Sequence, residues 1–147
     1  MEGLSLLRDV AIFVAEDEPF IALDLATTIE DAGGRVVGPA ATVKEALELL
    51  EIHPVAAAIL DVNLRDRDIS PVAELLIARG VPVIFHTGLG LPDELSAKFP
   101  DLIVHLKPLI PGKLIRQLAA LIETPRAKSE GNTVTAAITP KRPSRLE

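Results

Sequence analysis

Short apolar runs alternate with longer amphipathic stretches along most of the chain. Residues 10–15 are apolar at every position and lead directly into acidic residues. A run of this kind is typical of a strand whose two faces are both buried, as in a parallel sheet. Four further strands are predicted at residues 35–38, 55–60, 81–85 and 101–106.

The stretches between these runs carry apolar residues at helical spacing and end signals for helices. Pro19 suits the first turn of the first helix, and Gly33 with Gly34 ends it. Thr42 and Glu45 form a capping box that begins the second helix. Because helices and strands alternate, the pattern predicts an α/β protein with a five-stranded, doubly wound parallel sheet.

The later helices are predicted from the same kinds of signal. Ser70 is expected to cap the third helix, with Pro71 in its first position and Gly80 as its stop. Glycine and proline residues then crowd the chain, so the fourth helix is expected to be short or irregular, around residues 93–98. A fifth amphipathic helix ends near residue 122.

Composition changes near the end of this last helix. Residues 1–123 contain 10 basic and 19 acidic residues, whereas residues 124–147 contain 5 basic and 2 acidic residues and are rich in Pro, Ser and Thr. We therefore interpret residues 1–123 as one globular domain and residues 124–147 as a basic tail. Within that tail, residues 133–138 have enough β propensity to pair with a sheet edge.

The composition argues against several functional classes. The chain has no Cys, which excludes disulfides, thiolate nucleophiles and Cys-based zinc sites, and His86 and His105 are expected to pack in or beside strands. The scarcity of aromatic residues (3%) and the net charge of −6 argue against nucleic-acid binding. Without a signal peptide or a membrane-length apolar stretch, we expect a cytoplasmic protein that does not bind membranes.

Polar side chains stand at the carboxyl ends of the predicted strands, where open α/β sheets bind their ligands. Glu16 and Asp17 follow the first strand, and Asp61 follows the third. Thr87 follows the fourth strand, and Lys107 follows the fifth. We therefore expect three carboxylates, one hydroxyl and one lysine to meet at one edge of the sheet.

Three carboxylates this close would repel one another, and a divalent cation would relieve that repulsion. Mg²⁺ suits this set because it binds through one or two carboxylates together with phosphate oxygens. Lys107 and Thr87 suit phosphoryl oxygens, one as a positive charge and the other as a hydroxyl donor. Asp61 is then free to act as the nucleophile that accepts the phosphoryl group.

Four segments together resemble the receiver domain of two-component response regulators. They are Glu16-Asp17, Asp61-Val62-Asn63, His86-Thr87-Gly88 and Lys107-Pro108, each at a predicted strand end. The resemblance covers residues 10–122 and implies a flavodoxin-like sheet with strand order 2-1-3-4-5. Residues 82–90 also resemble the FATGUY group of stand-alone receivers, which are often paired with HWE-type histidine kinases.

The resemblance also implies a role for each residue of the site. Asp61 would be the phosphoacceptor, Thr87 would bind the phosphoryl group, and Lys107 would pair with Asp61 or with its phosphate. The Mg²⁺ ligands would be the carboxylates of Glu16, Asp17 and Asp61 and the backbone carbonyl of Asn63.

The function implied is a phosphorylation switch and not an enzyme, apart from self-phosphorylation and self-dephosphorylation. A histidine kinase would supply the phosphoryl group. No effector domain is evident after the last helix, so the output would pass to a protein partner or through a homodimer.

One departure from the receiver pattern keeps an alternative open. Val104 stands three residues before the lysine, where receivers usually carry Tyr or Phe, so we expect the signal to travel through residues 88–100 instead. The alternative is a receiver-like adaptor that works without phosphorylation. A small phosphohydrolase is disfavoured, because Asn63 stands where such enzymes usually place a second acid.

Overall fold

The computed structural model describes residues 6–88 and 90–128 of the chain. Five parallel strands form one sheet in the order β2-β1-β3-β4-β5. The strands are β1 (Ala11–Ala15), β2 (Arg35–Ala40), β3 (Ala57–Leu60), β4 (Val83–Thr87) and β5 (Ile103–Leu106). This confirms the predicted parallel sheet and its strand order.

Five helices connect and follow the strands. They are α1 (Pro19–Asp31), α2 (Val43–Ile52), α3 (Ser70–Ala78), α4 (Asp93–Lys98) and α5 (Pro111–Lys128). The short fourth helix lies where the sequence predicts it. Among the described residues, none of these helices is both long and apolar enough to span a bilayer.

The chain divides into two compact units, residues 1–115 and residues 116–147. The first unit contains the sheet, α1 to α4 and the start of α5. The described part of the second unit is the remainder of α5, which continues to Lys128. The rest of the predicted tail, including residues 133–138, lies outside the described residues, so the domain boundary near residue 123 stays a prediction.

The three inner strands β1, β3 and β4 are buried at every position. Alternate side chains along a strand point to opposite faces of the sheet. Phe13 and Phe85 pack with buried residues of α2 and α3 in one hydrophobic cluster, while Ile12 and Ile84 point to the other face and are also fully buried. The continuous apolar runs therefore exist because both faces of the sheet are covered.

The structure confirms Thr42 as the N-cap of α2, with the return bond of Glu45 made to Ala41 instead of Thr42, and adds a cap to α1. Thr42 Oγ1 accepts the N–H of Glu45 at 3.0 Å, and Glu45 Oε1 accepts the N–H of Ala41 at 3.1 Å. At the start of α1, Glu18 Oε1 accepts the N–H of Phe20 at 3.1 Å. These side chains satisfy N–H groups that have no partner inside the helix.

Several local predictions are wrong at the ends of elements: β2 continues to Ala40, and α5 continues to Lys128 instead of ending near residue 122. Ser70 does not cap α3 but is its first residue, and its N–H donates to Asp68 Oδ1 at 2.8 Å. A charged carboxylate two residues upstream is a stronger acceptor than a hydroxyl, and it takes the capping role. The predicted end of β4 at residue 85 is also too early, because the strand continues through His86 to Thr87.

Candidate functional site

Three carboxylates converge at the carboxyl ends of β1 and β3, which are parallel neighbours. Glu16 and Asp17 directly follow β1, and Asp61 directly follows β3. One carboxylate oxygen from each residue lies within 4.8 Å of the other two. The structure therefore brings together the three acids that the sequence places at strand ends, and we call them the acidic cluster.

Backbone hydrogen bonds continue past the strands and hold this cluster in place. The N–H of Glu16 donates to the carbonyl of Ala40 on β2 at 2.9 Å, and the N–H of Asp61 donates to Ala15 on β1 at 2.9 Å. The N–H of Val62 donates to Asp61 Oδ1 at 2.8 Å, which orients the Asp61 side chain. The positions of the acidic residues are therefore set by main-chain hydrogen bonds and not by interactions between their charges.

Lys107 reaches the acidic cluster from the end of β5. Its Nζ atom lies 3.1 Å from Glu16 Oε1 and 3.3 Å from Asp61 Oδ2. Burial lowers the pKa of Lys107, but the Glu16 and Asp61 carboxylates outweigh this effect and raise the pKa above its ordinary value. Lys107 is therefore charged at neutral pH and offsets part of the negative charge.

Glu16 is almost completely buried, with 2% of its surface exposed. Burial raises the pKa of Glu16 to about 7, and the charge of Asp61 adds to this rise, although the N–H of Glu18 and the Lys107 ammonium oppose it. Three carboxylates and one ammonium group meet here, so the cluster carries more acidic than basic groups. The oxygen-only donor set and its excess charge fit a hard divalent cation such as Mg²⁺.

Asn63, the other predicted metal ligand, lies two residues after Asp61 in the β3–α3 loop (residues 62–69). It forms an isolated antiparallel bridge with Asp68 in the same loop. The N–H of Ile69 donates to the carbonyl of Val62 at 2.8 Å and closes the loop at its base. Asn63 is therefore carried by a structured turn that starts at the proposed phosphoacceptor.

Thr87 ends β4 at the same edge of the sheet and is 6% exposed. Its carbonyl accepts the N–H of Lys107 at 2.9 Å, so the two residues are joined through the backbone. Its hydroxyl donates to the carbonyl of Gly90 at 3.5 Å, which is a long hydrogen bond. Among the described residues, the hydroxyl makes no hydrogen bond to the acidic cluster. Thr87 therefore lies at the same edge of the sheet as the cluster, and its role stays a prediction.

A groove of about 380 Å³ opens beside the acidic cluster and was not foreseen from the sequence. Leu23 of α1 and Arg65 of the β3–α3 loop line it together with Asp17. Leu23 is 62% exposed, and the nearby Phe20 is 76% exposed. Both lie outside the inward-facing apolar stripe of α1, and this departure from the helical pattern is the signal that could have revealed the groove.

The sheet also buries two histidines that pair across β4 and β5. His86 and His105 are 0% and 4% exposed, with ring centroids 6.0 Å apart. Within the described residues, their ring nitrogens have no hydrogen-bond partner. Burial lowers the pKa of His86 to about 4, and the charge of Lys107 adds to this effect. Both rings are therefore neutral near pH 7.

Val104, the predicted departure from the receiver pattern, lies on the outer strand β5 and is 38% exposed. Because valine has no ring, this position cannot undergo the rotamer change of an aromatic side chain. The expected route of the signal through residues 88–100 stays a prediction.

Comparison with solved structures gives three informative similarities. SdrG from Sphingomonas melonis Fr1 is 41% identical, with 80% of this chain and 98% of that chain covered and a TM-score of 0.65. The response regulator PhyR from Brucella abortus is 30% identical, with 85% and 52% covered and a TM-score of 0.71. The response-regulator REC domain of Erythrobacter litoralis PhyR is 23% identical, with 86% and 98% covered and a TM-score of 0.70, which supports the fold alone.

No model of a known protein family matches the chain. Among curated proteins, the transcriptional regulatory protein PdtaR from Mycobacterium tuberculosis is 35% identical over 83 residues. The match covers 56% of this chain and 40% of PdtaR, so the chain corresponds to less than half of that relative. The similar proteins are thus regulators, several of them longer than this chain.

Proposed function

Because the chain belongs to the receiver domains of response regulators, we propose that it is a switch that accepts a phosphoryl group on Asp61 from a histidine kinase. The observation that supports this most directly is the position of Lys107, whose Nζ lies within 3.3 Å of Asp61 in an acidic cluster. A partly buried lysine beside a carboxylate nucleophile is suited to stabilise the charge of a transferred phosphoryl group.

In the proposed reaction, a carboxylate oxygen of Asp61 attacks the phosphorus of a phosphohistidine. The phosphorus–nitrogen bond breaks, an acyl phosphate forms on Asp61, and the departing imidazole takes up a proton. Lys107 offsets the charge on the phosphoryl oxygens, and the Thr87 hydroxyl exchanges its long bond to Gly90 for one to phosphate. Mg²⁺ held by the acidic cluster and by the Asn63 carbonyl would neutralise further charge on those oxygens.

The groove beside the acidic cluster suggests how the kinase approaches. The exposed apolar side chain of Leu23 lines this groove together with Asp17, and Phe20 is exposed on the same helix, so a helical surface presenting a phosphohistidine would cover them as it reaches Asp61. The resemblance of residues 82–90 to the FATGUY group favours an HWE-type kinase as the donor. We place this exchange in the cytoplasm and the output with a protein partner or a homodimer.

An NMR titration tests the proposal. Amide spectra of the wild type and of Asp61→Asn are recorded with Mg²⁺ and then with beryllofluoride, which mimics a phosphoryl group on a carboxylate. Mg²⁺ should shift the amides of Asp17 and Asn63, and beryllofluoride should shift those of Thr87 and Lys107 in the wild type only.

Absence of all these shifts would favour the alternative, an adaptor that works without phosphorylation. The specific observation behind that alternative is Val104, which supplies no aromatic ring to report phosphorylation. Unchanged cellular function of Asp61→Ala would then support the adaptor directly.

A further inference from the structure

The β3–α3 loop carries a carboxylate that plays no part in the proposed phosphoryl transfer. Asp66 reaches from this loop to the start of α2, where its Oδ1 accepts the N–H of Val43 at 2.7 Å. Its Oδ2 accepts the N–H of Lys44 at 3.1 Å. One side chain of the loop therefore makes two charge-assisted hydrogen bonds to a different element.

These bonds complete the N-terminal cap of α2. The first N–H groups of a helix have no acceptor inside it. Thr42 accepts from Glu45, as the capping box requires, and this leaves the N–H groups of Val43 and Lys44 for Asp66. The hydrogen bond from Val43 is the main reason that the pKa of Asp66 lies below its ordinary value, so its carboxylate is charged at neutral pH.

A second bond joins the loop to the same end of α2. The N–H of Arg65 donates to the carbonyl of Ala41 at 3.1 Å, directly beside the Asp66 contacts. The N–H of Leu64 donates to the carbonyl of Arg67 at 3.1 Å, which folds the loop tip back on itself. The tip is thus attached to α2, while the base is closed beside Asp61 and Asn63 lies between the two attachments.

We propose that Asp66 is a positioning residue that holds the β3–α3 loop so that the Asn63 carbonyl stays available to a cation at the acidic cluster. The inference rests on the proposed function, since it concerns the Mg²⁺ affinity of the same site. A ligand atom must be held within about 0.5 Å of its productive position. If the loop loses bonds at its tip, it holds the Asn63 carbonyl oxygen less precisely.

Asp66→Ala and Thr42→Ala form a matched pair for the test. Each removes a cap from the same end of α2, but only Asp66→Ala removes bonds between the loop and α2, leaving the Arg65 N–H bond to Ala41 as the remaining attachment. Mg²⁺ dissociation constants are measured by amide NMR titration, melting temperatures by circular dichroism, and amide hydrogen exchange is followed in residues 62–69.

Both variants should melt at a lower temperature. Only Asp66→Ala should weaken Mg²⁺ binding, by about tenfold, as is typical when a residue supporting a metal ligand is lost. Amide exchange in residues 62–69 should rise in this variant alone. Asp66→Asn keeps one oxygen acceptor, so its effect should be intermediate.

Equal Mg²⁺ affinity in the wild type and Asp66→Ala would overturn the inference and leave Asp66 as a helix cap only. Equal weakening in Asp66→Ala and Thr42→Ala would also overturn it, because the stability of α2 would then account for both results. A wild type that does not bind Mg²⁺ would remove the proposed metal site, and this inference with it.

Discussion

Two groups of polar side chains belong to one sheet, one just past the ends of β1, β3 and β5 and the other within β4 and β5, and their surroundings have different consequences for their charge. Lys107 lies within ion-pairing distance of both Glu16 and Asp61. His86 and His105 contact each other, but their ring nitrogens have no partner among the described residues. In the first group Lys107 stays charged because the neighbouring carboxylates raise its pKa, while burial raises the pKa of Glu16 to about 7; in the second group burial lowers the pKa of both histidines and keeps them neutral.

The comparison separates two uses of a buried polar residue. The ion-paired group lies at the carboxyl ends of the strands, beside the groove. The histidines lie within β4 and β5, where a neutral imidazole fills space like an apolar side chain. In the described part of this sheet, ion-paired side chains therefore lie at the strand ends, whereas the histidines without a hydrogen-bond partner lie within the strands.

Replacing Lys107 should have the largest effect of the substitutions considered for these two groups. Lys107→Ala leaves Glu16 and Asp61 without their cation, so phosphorylation by acetyl phosphate should slow by about 100-fold, as when one charge-stabilising donor is lost from an active site. Mg²⁺ should still bind, because it no longer competes with an ammonium group for the same oxygens. Phosphate incorporation and an NMR titration measure the two effects.

Lys113→Ala is the control for this change, since Lys113 is exposed at the start of α5. It should leave both measurements unchanged. If Lys107→Ala instead abolished Mg²⁺ binding as well, Lys107 would be needed to hold the carboxylates in position, and its charge would not be its main contribution.

The contribution of the buried histidines to stability should become measurable at acidic pH. In the folded protein the pKa of His86 is lowered to about 4 from 6.5, so between these pH values the unfolded chain takes up a proton that the folded chain does not. The free energy of unfolding should therefore fall as the pH drops below about 6.5, by about 3 kcal/mol in total. His86→Leu should remove this loss, as measured by urea unfolding at pH 7.5 and pH 4.5.

His53→Leu serves as the control, because His53 is exposed at the end of α2. The pH dependence of stability due to Glu16 has the opposite sign. The pKa of Glu16 is raised to about 7, so its contribution to stability is lost as the pH rises through that value. The difference between the wild type and His86→Leu isolates the histidine from this effect. Identical pH dependence in the two proteins would contradict a neutral, buried His86.

A surface ion pair provides the smallest expected effect. Lys98 Nζ lies 2.6 Å from Glu74 Oε2, but both side chains are 50% exposed. Water screens such a pair, so Lys98→Ala should change the free energy of unfolding by less than about 1 kcal/mol in urea titrations. Glu74→Gln should give a similar value, and a loss above about 2 kcal/mol in either variant would show that exposure does not weaken ion pairs here.

The main features of the fold and the acidic cluster were predictable because they depend on local patterns. The apolar run before Glu16 and that before Asp61 predict two buried strands, and parallel strands bring their carboxyl ends to one edge. The short α4 follows from the prolines and glycines around it. Such features require only the sequence near each residue and the geometry of a parallel sheet.

The remaining features depend on contacts between distant parts of the chain. The bonds of Asp66 to α2 join residues 23 and 22 positions apart, and no local pattern announces them. The end of β4 was misplaced because a polar residue normally ends an apolar run, whereas His86 is accepted in the strand as a buried ring. The roles of Thr87 and Asn63 stay predictions.

The three successive acids after β1 are distinguished by their surroundings rather than by their charge. Glu16 is buried against Lys107, Asp17 is partly exposed at the groove, and Glu18 caps α1. Replacing each acid by its amide removes the same formal charge but has a different effect at each position. At Glu16 it changes the charge balance of an ion pair, at Asp17 the binding of a cation, and at Glu18 the cap of a helix. Scores that rank variants by residue type would treat these neighbouring positions as equivalent, so interpretation of variants in this segment must proceed residue by residue.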